Sequence, residues 1–114
     1  MTDIQLGHLT IGPSHPPFII AELSGNHNQQ LDLAIEMVEA AAKAGAHAIK
    51  LQTFTADSMT LDVDTDDFVI QEQDSLWCGE KLHGLYQKAA TPYEWHGELF
   101  NRAKALGMLA FSSP

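Results

Sequence analysis

Two short apolar runs lie one helix apart in this sequence, and that spacing constrains the fold more than any other feature. The first, Phe18-Ile19-Ile20-Ala21-Glu22-Leu23, is nearly continuous and rich in β-branched residues. A strand with one wet face would alternate apolar and polar residues, so this run predicts a strand buried on both faces, as in a parallel sheet covered by helices. After the polar stretch Ser24 to Gln30, apolar residues recur at Leu31, Ala34, Ile35, Val38, Ala41 and Ala42. That is the period of a helix, with Asp32, Glu36, Glu39 and Lys43 on its wetter side and Glu39 placed to pair with Lys43 one turn on. Gly45 suits the end of such a helix. Ala48-Ile49-Lys50-Leu51-Gln52-Thr53 then reads as a second buried strand. Strand, helix, strand is a crossover unit, right-handed by the rule that governs parallel connections.

The flanking segments extend this plan. Residues 1–12 alternate loosely and end at Gly12-Pro13, which predicts a short hairpin or irregular cap; residues 1–17 together read as an N-terminal cap segment. Residues 54–90 are too many for an ordinary connection and read as a long insertion after the second strand. It holds an acidic stretch from Asp57 to Asp74, then Trp77-Cys78-Gly79 and a short helical candidate from Leu82 to Lys88. Thr91-Pro92-Tyr93-Glu94 has the pattern of a capping box that opens a helix. Trp95, Leu99, Ala103 and Leu106 would form that helix's buried stripe, Gly107 would close it, and Met108 to Phe111 would be a third strand. The order is that of an α/β fold, either a doubly wound open sheet or a barrel, and in both the chemistry collects at the C-terminal ends of the strands. A last strand with no helix after it is expected to belong to a longer fold.

Composition narrows the function. A length of 114 residues with 45% hydrophobic content suits one folded unit. No apolar run approaches the roughly 20 residues needed to cross a bilayer, and the N-terminus has no basic-then-apolar leader pattern, so no membrane partner is expected and the cytoplasm is the default compartment. The single cysteine, Cys78, excludes an internal disulfide and reads as a semi-buried or surface thiol. Fifteen acidic against six basic residues, a formal charge of −9, argue against nucleic acid, which needs a basic stripe to displace counterions. A small anionic substrate needs only one or two well-placed cations.

The strand ends carry those groups. Glu22 sits in the first strand and leads to Ser24-Gly25-Asn26-His27-Asn28; Lys50, Gln52 and Thr53 sit in the second; Ser112 and Ser113 end the third. In a parallel sheet these ends lie side by side. A buried ion is costly unless paired or used, which singles out Glu22 and Lys50, either as a functional pair or as a structural bridge between neighbouring strands. For Gln52 and Thr53, substrate contact and strand-end hydrogen bonding both remain open. Asp62-Val63-Asp64-Thr65-Asp66 imitates the start of a calcium loop, but Asp67 stands where glycine is required and Gln73 where a bidentate glutamate belongs. The six histidines have no HExxH spacing; only His27 lies at a strand end, and His96 reads as a surface or second-layer residue. No Walker loop or GxGxxG fingerprint is present. Trp77, Trp95 and Phe100 read as packing residues.

The run 18–28, the segment Ala44-Gly45-Ala46-His47-Ala48-Ile49-Lys50-Leu51-Gln52-Thr53 and Phe111-Ser112-Ser113-Pro114 resemble, in order, the first three barrel strands of the sialic acid synthase family. Leu23-Ser24, Asn26-His27-Asn28, Leu85-Tyr86-Gln87-Lys88 and Thr91-Pro92-Tyr93-Glu94-Trp95-His96 are most similar to its pseudaminic acid synthase branch. The resemblance implies a (β/α)8 TIM barrel, of which these 114 residues would be about the first three strands. The rest of the barrel and a C-terminal antifreeze-like domain that reaches a partner subunit would lie outside the chain, in a homodimer. It further implies a condensation of phosphoenolpyruvate with an N-acylated amino sugar, with release of phosphate. A divalent metal, Mn2+ or Mg2+, would be held by histidines of later strands. By that resemblance Lys50 would hold the carboxylate or phosphate of phosphoenolpyruvate, and Ser113, often threonine in relatives, would hydrogen-bond the same ligand. Gln52 would contact the sugar, Asn26 and Thr53 would join the substrate contacts, and Glu22 would orient or deprotonate a reacting group. N-acetylneuraminate or legionaminate synthesis, another barrel enzyme on anionic sugars, and a non-catalytic sugar-binding paralogue are the alternatives.

Overall fold

Residues 2–114 are described by a computed structural model, which opens with an antiparallel hairpin of β1 (Ile4–Leu6) and β2 (Leu9–Ile11), Ile4 facing Ile11. Its turn needs Gly7, whose φ is +59° and where a Cβ would come within 2.7 Å of Leu109 Cδ2. The hairpin turn therefore abuts the side chain of Leu109.

That sheet is parallel and has three strands in sequence order, β3 (Ile20–Glu22), β4 (Ala48–Gln52) and β5 (Leu109–Ser113). Helix α1 (Leu31–Lys43) joins β3 to β4, no side chain caps its start at Gln30, and Gly45 takes a φ of +96° just beyond its end. Two short helices lie in the segment after β4: α2 (Ala56–Met59), capped reciprocally by Thr55 and Ser58, and α3 (Leu82–Ala89). Helix α4 (His96–Ala105) then leads into β5. Ile49 and Leu51 of β4 meet Ala34 and Val38 of α1 and Leu99 and Ala103 of α4 in one core, joined by Leu23 and Met108. Both long helices thus cover the same face of the sheet.

Strand side chains alternate, so Lys50 and Gln52 point to the face opposite Ile49 and Leu51. Registered partners in a parallel pair share a face. Glu22 lies beside Lys50, Phe111 flanks Lys50 on the other side, and Gln52 lies beside Ser113. This second face is open: Ile20 and Phe111 on it are 44% and 41% exposed. The expectation that the first strand is buried on both faces therefore fails for β3, and β5 is open on the same side. Only β4, flanked by strands and roofed by two helices, is largely enclosed.

Three local expectations are corrected by longer-range contacts. Thr91 does not cap α4: its hydroxyl is buried against His27, and a 3₁₀ turn at Tyr93–Trp95 precedes the helix with no side-chain cap. Glu39 pairs at 3.1 Å with Arg102 of the adjacent α4, not with Lys43. Leu106 falls outside the buried stripe because the chain turns at Gly107, and Met108 takes the core position instead.

The acidic segment is held by its own ties. His83 of α3 bonds Asp57 of α2 at 2.7 Å, and Lys81 bonds Asp62 at 2.9 Å. The lysine's hydrogen bond and charge hold the Asp62 carboxyl below the usual carboxylate range, and the carboxylate raises Lys81 in return. Among the described residues no helix is long and apolar enough to cross a membrane.

Candidate active site

The open face gathers its polar groups at the C-terminal ends of the strands. Lys50 Nζ lies 2.8 Å from Glu22 Oε1. One step further along the same face stand Gln52 and Ser113, registered side by side on β4 and β5. Neighbouring strands hold all four side chains, so their spacing is set by the sheet and not by flexible loops.

Beside this row is a pocket of about 590 Å³ with two unlike sides. Asn26, Gln52 and Ser113 supply a polar floor, while Phe54, Met59, Trp77, Leu85 and Tyr86, all from the segment after β4, supply an apolar wall. Such a division, with few polar groups fixing orientation against an apolar surround, is the usual build of a small-molecule site. Trp77 is half exposed on this wall and not packed in the core as expected, whereas Trp95 and Phe100 do pack there. Cys78 is exposed.

The wall is moored to the loop that follows β3. At Gly25 a Cβ would fall 2.6 Å from Ala89 Cβ and 2.7 Å from Ala89 O, so only glycine lets the end of α3 come this close. Gln29 donates through Nε2 to the carbonyls of Lys88 and Ala90, at 2.8 and 2.6 Å. To do so Asn28 and Gln29 both take left-handed backbone, at φ of 52° and 55°. Gln29 lacks asparagine's ease in that region, and its strain is offset by the two bonds. His27 completes the mooring. Its Nδ1 accepts the Gln29 N–H, so Nε2 carries the proton and donates to Thr91 Oγ1 at 3.0 Å. Burial holds this ring below the usual histidine pKa and keeps it neutral.

The remaining candidates divide between the two faces. Thr53 turns to the helix side, away from Lys50. His96 Nδ1 can only donate to the Pro92 carbonyl, so its Nε2 accepts the Thr53 hydroxyl proton at 2.8 Å, and Thr53 accepts in turn from Ser112. With its hydroxyl committed, Thr53 is a strand-end linker, and His96 is the second-layer residue that holds it. The sequence marks His27 only as the histidine at a strand end and gives Met59 and Tyr86 no role in the site, because their roles come from segments that meet only in the fold. Among the described residues no group of three or more His, Cys, Asp or Glu is placed to hold a metal, and both nitrogens of His27 are already bonded. These residues do not fit a complete metal site.

Residues 37–114 match the NeuB family. The chain is 54% identical over 97 residues to a pseudaminic acid synthase of Campylobacter jejuni subsp. jejuni serotype O:2, covering 85% of this chain and 28% of that one. It is also 54% identical over 99 residues to a pseudaminic acid synthase of Helicobacter pylori, covering 87% of this chain and 28% of that one. Among solved structures, the N-acetylneuraminic acid (sialic acid) synthetase of Leptospira borgpetersenii serovar Hardjo-bovis superimposes with a TM-score of 0.76 at 28% identity, over 99% of this chain and 34% of that one. The chain thus spans 28% of the length of these two curated relatives.

Proposed function

This chain belongs to the NeuB family, and from that premise we propose that it forms the N-terminal part of a (β/α)8-barrel nonulosonic acid synthase. In this reading the longer protein condenses phosphoenolpyruvate with an N-acylated amino sugar and releases phosphate. The pseudaminic acid type is favoured, since relatives 54% identical to the chain bear that name. Sequential strand order, with both long helices on one face, supports the barrel. Residues 1–17 act as its cap and residues 54–90 as an insertion over its mouth.

The observation that carries the chemistry is the row of Glu22, Lys50, Gln52 and Ser113 on the open face. Lys50 offers the point charge that a carboxylate or phosphate of phosphoenolpyruvate needs. When that anion takes the ammonium, the Glu22 carboxylate gives up its 2.8 Å partner and is released beside the pyruvyl carbon, to orient or deprotonate a reacting group. Ser113 hydrogen-bonds the same anion, and the amides of Gln52 and Asn26 reach the sugar from the pocket floor. C3 of phosphoenolpyruvate then forms a bond to the aldehyde carbon of the open-chain sugar, whose oxygen takes a proton. Water adds at C2 and gives up one proton, which balances the one on the aldehyde oxygen. The C2–O bond to the phosphoryl group then breaks, and phosphate departs with the bonding electrons and the second water proton as C2 becomes a ketone. The divalent manganese or magnesium expected of such a condensation takes its ligands from outside these residues, and no step above depends on it. A cytoplasmic homodimer with a C-terminal antifreeze-like domain completes the reading.

Phosphate release by the full-length protein, with phosphoenolpyruvate and a panel of acylated amino sugars, tests it. Release that requires both substrates is the expected result. No release with any acceptor overturns the assignment.

A further inference from the structure

The pocket wall carries information that the polar row does not. Phe54 and Tyr86 meet edge to face with ring centroids 5.7 Å apart, which fixes the back of the wall. In front of them Trp77 is 50% and Met59 48% exposed, both turned to the cavity that Gln52 and Ser113 floor. The chain has 15 carboxylates, yet no charged side chain lines this cavity.

A sugar hydroxyl pressed against Phe54, Met59, Leu85 or the ring faces of Trp77 and Tyr86 loses water and finds no partner there, which is costly. An alkyl group in the same place loses nothing polar and gains apolar contact. We infer that Met59, Trp77 and Tyr86 form an apolar subsite for the alkyl parts of the acceptor sugar, an acylamino methyl or a deoxygenated carbon, and so set which amino sugar is accepted. The inference rests on the proposed synthase reading and names its specificity-determining residues. Polar floor and apolar wall divide the work: the floor aligns the reacting aldehyde, and the wall sorts acceptors.

The test compares two acceptors in the full-length protein, a doubly N-acylated 6-deoxy amino sugar and a singly N-acylated one that keeps every hydroxyl. Trp77→Ala should lower the ratio of kcat/KM for the first over the second on the order of tenfold or more, the scale on which lost apolar contacts discriminate substrates. The KM for phosphoenolpyruvate should not move, and Trp77→Phe should keep most of the preference. Met59→Gln, close to isosteric and at an exposed position, should shift the ratio in the same direction even where Trp77→Ala fails to fold. An unaltered ratio, or equal losses for both acceptors with a lowered Tm, overturns the inference and makes the wall a packing surface. If the unmodified protein turns over with neither sugar, nor with the wider panel, the synthase reading itself fails and takes the inference with it.

Discussion

Glu22 and Lys50 meet at 2.8 Å, but their side chains are 54% and 27% exposed, and an ion pair in that setting adds up to about 1 kcal/mol to stability. The pair is therefore a poor reason to keep a lysine inside a strand, and its removal reads chemistry more than folding. In the full-length protein, Lys50→Ala should abolish turnover or sharply raise the KM for phosphoenolpyruvate with little change in Tm; near-normal kinetics would remove Lys50 from the site. Glu22→Gln should lower kcat with the fold intact, and an unchanged kcat would exclude it from the mechanism. His27 makes the opposite case, a residue whose titration reports on folding. Burial lowers its pKa in the folded state, so below pH 6.5 the unfolded chain binds the extra proton first. Stability from this source is full above pH 6.5 and is lost as pH falls toward the lowered folded value. Denaturant midpoints should accordingly fall more between pH 7.5 and pH 5.5 in the unmodified protein than in His27→Gln, and equal drops would show that His27 does not drive the loss.

At the scale of elements, the contact between the loop after β3 and the end of α3 is the most exacting in the site. Gly25→Ala would drive a methyl group into the backbone carbonyl of Ala89, which has no rotamer to yield. The expected cost is about 1–3 kcal/mol, seen as faster hydrogen exchange in Leu82–Ala89 and a raised KM for the sugar. Unchanged exchange would mean that α3 relaxes freely. Leu51→Ala, at a fully buried position under α1 and α4, should cost about 2–5 kcal/mol by thermal or chemical unfolding. The strands and helices around Leu51 are legible in sequence because their burial follows local periods: two residues for β4, nearly four for α1. Lys50, Gln52 and Ser113 stand out as candidates for a related reason, being polar residues in strands that should be dry. The capping box at Thr91 misleads because the hydroxyl is claimed by His27, 64 residues earlier, and no local pattern contains that competitor. For Thr53 the sequence leaves substrate contact and strand-end hydrogen bonding open, because one residue of strand phase separates it from Gln52: Gln52 faces the pocket, and Thr53 meets His96 and Ser112. Trp77 is missed because an aromatic on an insertion looks like any packing residue until the floor beneath it is known.

For the molecule as a whole, the dominant fact among the described residues is an uncovered sheet face with unpaired strand edges at β3 and β5. Ile20 and Phe111 on that face, with Leu76 and Leu61 on the insertion, leave large apolar side chains in water. Parallel edges of this kind invite pairing with other chains. Expressed as these 114 residues alone, the protein should self-associate in sedimentation experiments and release no phosphate from phosphoenolpyruvate. A monomer that turns over would contradict the barrel reading. Gln29, finally, grips the insertion by the carbonyls of Lys88 and Ala90, atoms that every sequence provides. A clasp made to main chain is blind to the side chains upstream of it. The stretch between Asp57 and Lys81 should thus be exchangeable like a cartridge: one taken from a relative should click into the same fitting, replacing Met59 and Trp77 while Phe54, Leu85, Tyr86 and the lysine beneath stay as they are.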